Sequence, residues 1–168
     1  LNWIKEAIRE GAPMALRNTG IVKEKSMLDE YVNFLFDLFP KDTFARSFQG
    51  RKLVIAIDAG NGMGGYTAPA VMSKIAAEIY PIFFELDGTF PNHEANPIDP
   101  KNLVDLIKAV KKHKADIGLA FDGDADRCIL VGASGRIVDG DMVLLAAGRY
   151  LKSLGHLPGD TVVATVMS

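Results

Sequence analysis

The chain has 168 residues, 48% of them hydrophobic, and a formal net charge of −2. A chain of that length buries roughly two-thirds of its extended surface, so one domain, or one complete domain with adjoining pieces, is expected. The small negative charge leaves no basic footprint for nucleic acid or an anionic membrane. The sequence shows no signal-peptide pattern and no apolar run near the roughly 18 residues a spanning helix needs, so a cytoplasmic protein is expected. The one cysteine, Cys128, lies in an apolar stretch; it excludes internal disulfides and reads as a buried, inert thiol.

Residues 2–10 suggest a short helix with Trp3, Ile4, Ala7 and Ile8 on one side, broken by Gly11 and Pro13. Ser26 and Asp29 form a possible capping pair opening a second helix. Its apolar positions Leu28, Tyr31, Val32, Leu35 and Phe36 recur at helical spacing, and Pro40 stops it. Residues 41–50 are polar and unpatterned, a plausible boundary. From Leu53 strands and helices alternate: a strand over Leu53–Ile57, a helix over Thr67–Ile79 with Val71, Met72, Ile75 and Ile79 inward, and a strand over Ile82–Leu86. Asp99 then caps a helix with Pro100 in its first turn and Leu103, Leu106, Ile107 and Val110 on one face. Ile117–Phe121 is a third strand. Arg127–Val131 and Arg136–Val138 flank Ser134-Gly135 as a hairpin, and Asp139 or Asp141 caps a helix running to Leu154, with Gly155 at its end. The stretch Thr161–Val166 reads as a last strand followed only by Met167-Ser168, and the chain lacks an initial Met. A piece of a longer protein is therefore expected. Strands alternating with amphipathic helices predict a three-layer α/β/α domain around a mostly parallel sheet.

Two stretches carry possible chemistry. In Phe121-Asp122-Gly123-Asp124-Ala125-Asp126-Arg127 three carboxylates occupy alternate positions with small residues between them, at the carboxyl end of the third strand. Ligands of open α/β sheets gather at such ends. Two of these charges about 4 Å apart repel by roughly 4 kcal/mol at an effective dielectric near 20. Held together they call for a hard divalent cation such as Mg²⁺; a solvated acidic turn is the plain alternative. An EF-hand beginning at Asp122 fails, because its sixth and twelfth positions hold Arg127 and Ala133 where Gly and Glu are required. A phosphatase loop of the haloacid-dehalogenase type also places D-x-D after a strand, without accounting for a third Asp followed by Arg. The second stretch, Gly60-Asn61-Gly62-Met63-Gly64-Gly65, satisfies G-x-G-x-x-G between strand and helix, with Glu85 after the next strand. It admits a dinucleotide-binding, NAD(P)-dependent oxidoreductase domain, although Asp58 would oppose the pyrophosphate. A sharp turn with close helix–sheet packing is the simpler reading.

The run FDGDADR resembles the metal-binding loop of the α-D-phosphohexomutases, the phosphomannomutase/phosphoglucomutase family. Val54-Ile55-Ala56-Ile57-Asp58-Ala59-Gly60-Asn61-Gly62, Asp87-Gly88-Thr89-Phe90-Pro91-Asn92-His93, Asn96-Pro97 and Asn102-Leu103 are similar to that family's second domain, in the same order. The similarity covers roughly residues 50–168, more weakly the N-terminal part, and is greatest to the phosphomannomutase branch. It implies a helical linker from a missing first domain over 1–45, the domain with the metal loop over 46–133, and the start of a third domain over 134–168. It also implies a phosphotransferase moving phosphate between C6 and C1 of a hexose such as mannose or glucose, through a phosphoserine enzyme and a bisphosphorylated sugar. Asp122, Asp124 and Asp126 would then be the Mg²⁺ ligands, and Arg127 would lie beside the phosphate or pair with its own loop. The sugar phosphate would be held jointly with the missing domains. The family's reactive-serine, sugar-binding and C-terminal phosphate motifs are not found in this sequence, so no mutase activity is expected of the chain alone. A non-catalytic domain with a structural metal stays open. His93, in a polar loop that could overhang the same edge, suits a loop-organising hydrogen bond or chemistry. His113 and His156 read as solvated positions.

Overall fold

The computed structural model describes residues 2–11, 20–39 and 50–165. The expected break at Pro13, the stop at Pro40, most of the 41–50 boundary and the last residues from Val166 lie outside them. Helices α1 (Asn2–Arg9) and α2 (Leu28–Asp37) precede strand β1 (Leu53–Asp58) and helix α3 (Gly64–Met72). Strand β2 (Ala77–Ile82), helix α4 (Val104–His113), strands β3 (Ile117–Phe121), β4 (Cys128–Gly132) and β5 (Ile137–Val138) and helix α5 (Gly140–Ser153) follow. The five strands form one sheet in the order β2-β1-β3-β4-β5. β2, β1 and β3 run parallel; β4 and β5 continue the sheet antiparallel.

Both faces of the parallel part are covered, which is why β1 is apolar from Leu53 to Ile57 instead of alternating. Val54 and Ala56 face one way, joining Leu103, Leu106 and Val110 of the α4 segment, Ala120 and Val131. Leu53, Ile55 and Ile57 face the other, against Ala68 and Met72 of α3. Leu106 and Val110 are completely buried, worth about 1.5–3 kcal/mol each. Asp99 opens the α4 segment as expected, its side chain accepting from Lys101 N–H behind Pro100 in a single 3₁₀ turn. Lys114 closes it in the left-handed conformation (φ 51°). Asp139, not Asp141, caps α5 through Met142 N–H at 3.0 Å.

Several expectations are corrected. The helix predicted over Thr67–Ile79 ends at Met72, and Ala77–Ile82 is a strand paired residue for residue with Leu53–Asp58. The strand predicted at Ile82–Leu86 therefore lies earlier, and Phe83 turns out of the sheet at φ 52°. Ile75 and Ile79 fit a helical period, but Ala77 and Ile79 also fit the two-residue period of one sheet face, and pairing with β1 decides between them. Pro81 is tolerated because β2 is an edge strand. Ser26 caps nothing: Met27 is the N-cap of α2 and makes no side-chain bond there. Residues 161–165 are not a strand, having no neighbouring strand to pair with among the described residues. Cys128 is exposed, against the expected burial, although desolvation pushes the thiol up to about 11. His113 is not simply solvated, since its ring stacks on Tyr80 at 3.8 Å.

The starts of β1 and β3 are tied by a bidentate pair, Arg51 Nη1 and Nη2 to the two carboxylate oxygens of Asp116 at 2.7 and 2.5 Å. Val54 N–H also donates to Asp116, at 2.9 Å. The Arg51 bond, then the Val54 N–H, lower the Asp116 carboxyl to about 2. Because the folded value is depressed, the stabilisation is present above the ordinary 3.8 and fades as pH falls toward 2. With a half-exposed guanidinium screened by water, Asp116→Ala should cost about 1–2 kcal/mol at pH 7. Urea unfolding of both proteins between pH 7 and 2 should show that difference closing below pH ~4. A gap that persists at pH 2 would assign it to packing.

Candidate metal centre

β3 delivers the chain to Asp122, whose side chain is 1% exposed. Its Oδ1 accepts from Arg127 N–H at 3.0 Å and its Oδ2 from Arg127 Nε at 2.6 Å. Asp122 N–H donates to Arg127 carbonyl (3.2 Å) and Ala125 N–H to Asp122 carbonyl (3.1 Å). These bonds close residues 122–127 into a tight loop, with Ala125 at φ 62°. The closure brings one carboxylate oxygen from each of Asp122, Asp124 and Asp126 within 4.8 Å of one another, the last two exposed. Burial opposes charge on Asp122, but the N–H and guanidinium of Arg127 outweigh it and hold the carboxyl below its usual range. Asp126 is raised, by the charge of Asp124 first and of Asp122 next.

An all-carboxylate donor set suits a hard divalent ion. The three oxygens already share one small region, and the repulsion that raises Asp126 is what a cation would relieve. The residues fit the group. Arg127 is half exposed and anchored to its own loop through Nε, which leaves its terminal nitrogens outside that bond. Both roles weighed for Arg127 are thus geometrically compatible.

The glycine turn lies directly against this loop. Met63 N–H donates to the Gly123 carbonyl at 2.9 Å. Asn61, 5% exposed and at φ 61°, knits the turn to the segment after β2. Its N–H donates to Phe83 carbonyl (2.8 Å) and its carbonyl accepts from Asp87 N–H (3.0 Å). Its side chain donates to Glu85 carbonyl and accepts from Asn92 Nδ2, at 2.9 and 2.7 Å. Sequence reasoning missed this hub; its only trace was an Asn between two glycines. A cavity of about 200 Å³ bounded by Asn61, Met63, Asp87, Phe90 and Gly123 adjoins the loop. His93 lies on the same edge, its Nε2 3.2 Å from Asp58 Oδ2. His156 is exposed, as expected. Nothing favours a dinucleotide at Gly60–Gly65: the space beside Gly62 is filled by Gly123 and that beside Gly65 by Phe84.

Fold and site together define an α/β domain with three convergent carboxylates, one of them paired with Arg127, in a loop at a strand end. The phosphoglucomutase/phosphomannomutase α/β/α domain II pattern matches residues 29–135. A phosphoglucosamine mutase of Clostridium perfringens is 41% identical over 145 residues, covering 86% of this chain and 30% of that protein. A phosphoglucomutase of Neisseria meningitidis is 40% identical over 155 residues, covering 92% and 32%. The crystal structure of a phosphoglucomutase/phosphomannomutase family protein from Burkholderia thailandensis superimposes with a TM-score of 0.69 at 30% identity, covering 91% and 31%. The chain belongs to the phosphoglucomutase/phosphomannomutase family, and spans about a third of the length of these relatives. Among the described residues no helix is long and apolar enough to cross a membrane.

Proposed function

We propose that this chain is the Mg²⁺-binding part of a phosphohexomutase that interconverts hexose 6-phosphate and hexose 1-phosphate through a phosphoserine and a bisphosphorylated sugar. The observation that carries the reading is the convergence of Asp122, Asp124 and Asp126 within 4.8 Å in a chain of this family. Bound there, Mg²⁺ would neutralise charge on the phosphoryl group in transfer. Asp124 and Asp126 present exposed ligand oxygens, and buried Asp122 fixes the loop from beneath. Arg127, braced by Asp122, offers its terminal nitrogens to phosphate oxygens. In this reading residues 1–45 are a linker, 46–133 the metal-loop domain and 134–168 the beginning of the next, with the sugar phosphate held between this surface and further domains.

Titrating the purified chain with Mn²⁺, followed by electron paramagnetic resonance, should show one saturable site that Mg²⁺ displaces. Given mannose 1-phosphate or glucose 1-phosphate and a bisphosphorylated hexose, the same chain should give no turnover, since the serine that carries phosphate is not in it. Absence of a Mn²⁺ site would overturn the metal assignment, and turnover would overturn the division of labour.

A further inference from the structure

We propose that Asp58 and His93 are positioning residues: their contact clamps the Gly60–Met63 turn and the 90–96 segment together and so fixes the backbone against which the acidic loop rests. The purpose of the clamp rests on the metal reading above; its existence does not. Asp58 ends β1, 1% exposed, with Oδ1 accepting from Gly60 N–H at 2.9 Å. Its Oδ2 faces His93 Nε2 at 3.2 Å, while His93 Nδ1 lies 2.9 Å from the Glu94 carbonyl. A carbonyl only accepts, so Nδ1 carries hydrogen and donates to it. The other contact, between Nε2 and a carboxylate oxygen, then requires a proton between them. Desolvation pushes the Asp58 carboxyl up, in the direction that favours keeping such a proton.

The clamp leads to the loop by two routes. Along the turn, Met63 N–H holds the Gly123 carbonyl at 2.9 Å. Through the 90–96 segment, Ala95 lies beside both: a methyl at Gly60 would be 3.5 Å from its Cβ and one at Gly123 3.8 Å from it. Phe90 packs on Gly123 as well, 3.4 Å from the same point. The His93 ring is itself braced edge-on by Phe83, centroids 5.4 Å apart. A buried carboxylate and a half-buried imidazole thus join the two segments that lie beside Gly123, between the first and second acidic residues.

His93→Asn and His93→Gln separate the two ring nitrogens, because Asn reproduces the reach of Nδ1 to Glu94 and Gln that of Nε2 to Asp58. Amide hydrogen exchange on the 168-residue chain reads the clamp at Met63 N–H, with the β3 amides Leu119 and Ala120 as internal reference. H93N should speed exchange at Met63 about tenfold and leave β3 unchanged, and H93Q should stay near wild type. Mn²⁺ affinity should fall about tenfold in H93N and recover in H93Q. Wild-type exchange at Met63 in H93N, an equal rise across β3, or equal damage from H93Q would overturn the proposal. If the wild-type chain takes up no Mn²⁺, the metal reading fails while the exchange data still decide whether the clamp exists.

Discussion

Gly65→Ala should lower the melting temperature of this chain by about 10 °C or more, from a loss of about 3 kcal/mol or more. A methyl at Gly65 would lie 2.1 Å from the Phe84 carbonyl oxygen and 2.8 Å from its carbon. Both are backbone atoms, so no rotamer relieves the clash; α3 must lift away from the segment that follows β2. That lift would open the packing of Ala68 and Phe84 on Ile55 and Ile57. Gly88→Ala is the control, with nothing within 4 Å of the new methyl, and should stay within about 0.5 kcal/mol of wild type. Gly62→Ala separates the fold from the site. Its methyl would meet the Gly123 carbonyl oxygen at 2.6 Å, so it should displace the acidic loop and weaken Mn²⁺ binding more than it lowers the melting temperature. Scanning calorimetry of the three variants checks the series. A Gly65→Ala protein melting within about 2 °C of wild type would mean that helix and strand are not in this close contact.

The same glycines show where sequence reading succeeds and where it stops. Strands β1 and β3, the Asp99-Pro100 opening of α4 and the hairpin at Ser134-Gly135 were legible because local pattern and tertiary role agree there. The acidic loop was legible because alternate carboxylates with Gly and Ala between them have few ways to fold. Residues 67–86 were misread because Ile75 and Ile79 fit either period, and only pairing with β1 chooses. The purpose of Gly62 and Gly65 was half legible: the turn and close packing could be read, but not that their neighbours are Gly123 and Phe84. The Asn61 hub was not legible, and of the Asp58–His93 contact only a loop-organising bond from His93 was, without its partner. Their partners lie more than 20 positions away and meet only after Phe83 turns out of the sheet. The burial of Asp122 beside exposed Asp124 and Asp126 was equally hidden, since all three share one spacing and one chemistry.

That difference in burial predicts opposite responses from neighbouring aspartates. Asp122→Ala removes both acceptors of Arg127, one from its N–H and one from its Nε. It leaves a cavity at a fully enclosed position and should cost about 2–3 kcal/mol even without metal, less than a wholly buried pair because Arg127 is half exposed. Asp126→Asn should do the reverse in metal-free buffer. The Asp126 carboxyl is raised by the charges of Asp124 and Asp122, so at neutral pH its ionised form opposes folding, and the amide removes that opposition. The folded value lies above the ordinary 3.8, so the wild-type penalty is complete above the raised value and vanishes as pH falls through about 4. The stability gain of Asp126→Asn should disappear with it. Adding Mn²⁺ at ten times its dissociation constant should stabilise the wild-type chain by about 1.4 kcal/mol and stabilise neither Asp124→Asn nor Asp126→Asn. In a full-length protein carrying this domain, Asp124→Asn should reduce mutase turnover by about 100-fold or more with the fold intact. Thermal melts with and without Mn²⁺ at pH 7 and pH 4 distinguish the cases. If Asp126→Asn is destabilised without metal, or still gains stability with it, the cluster is a structural acidic turn and the phosphoryl chemistry must be sought elsewhere.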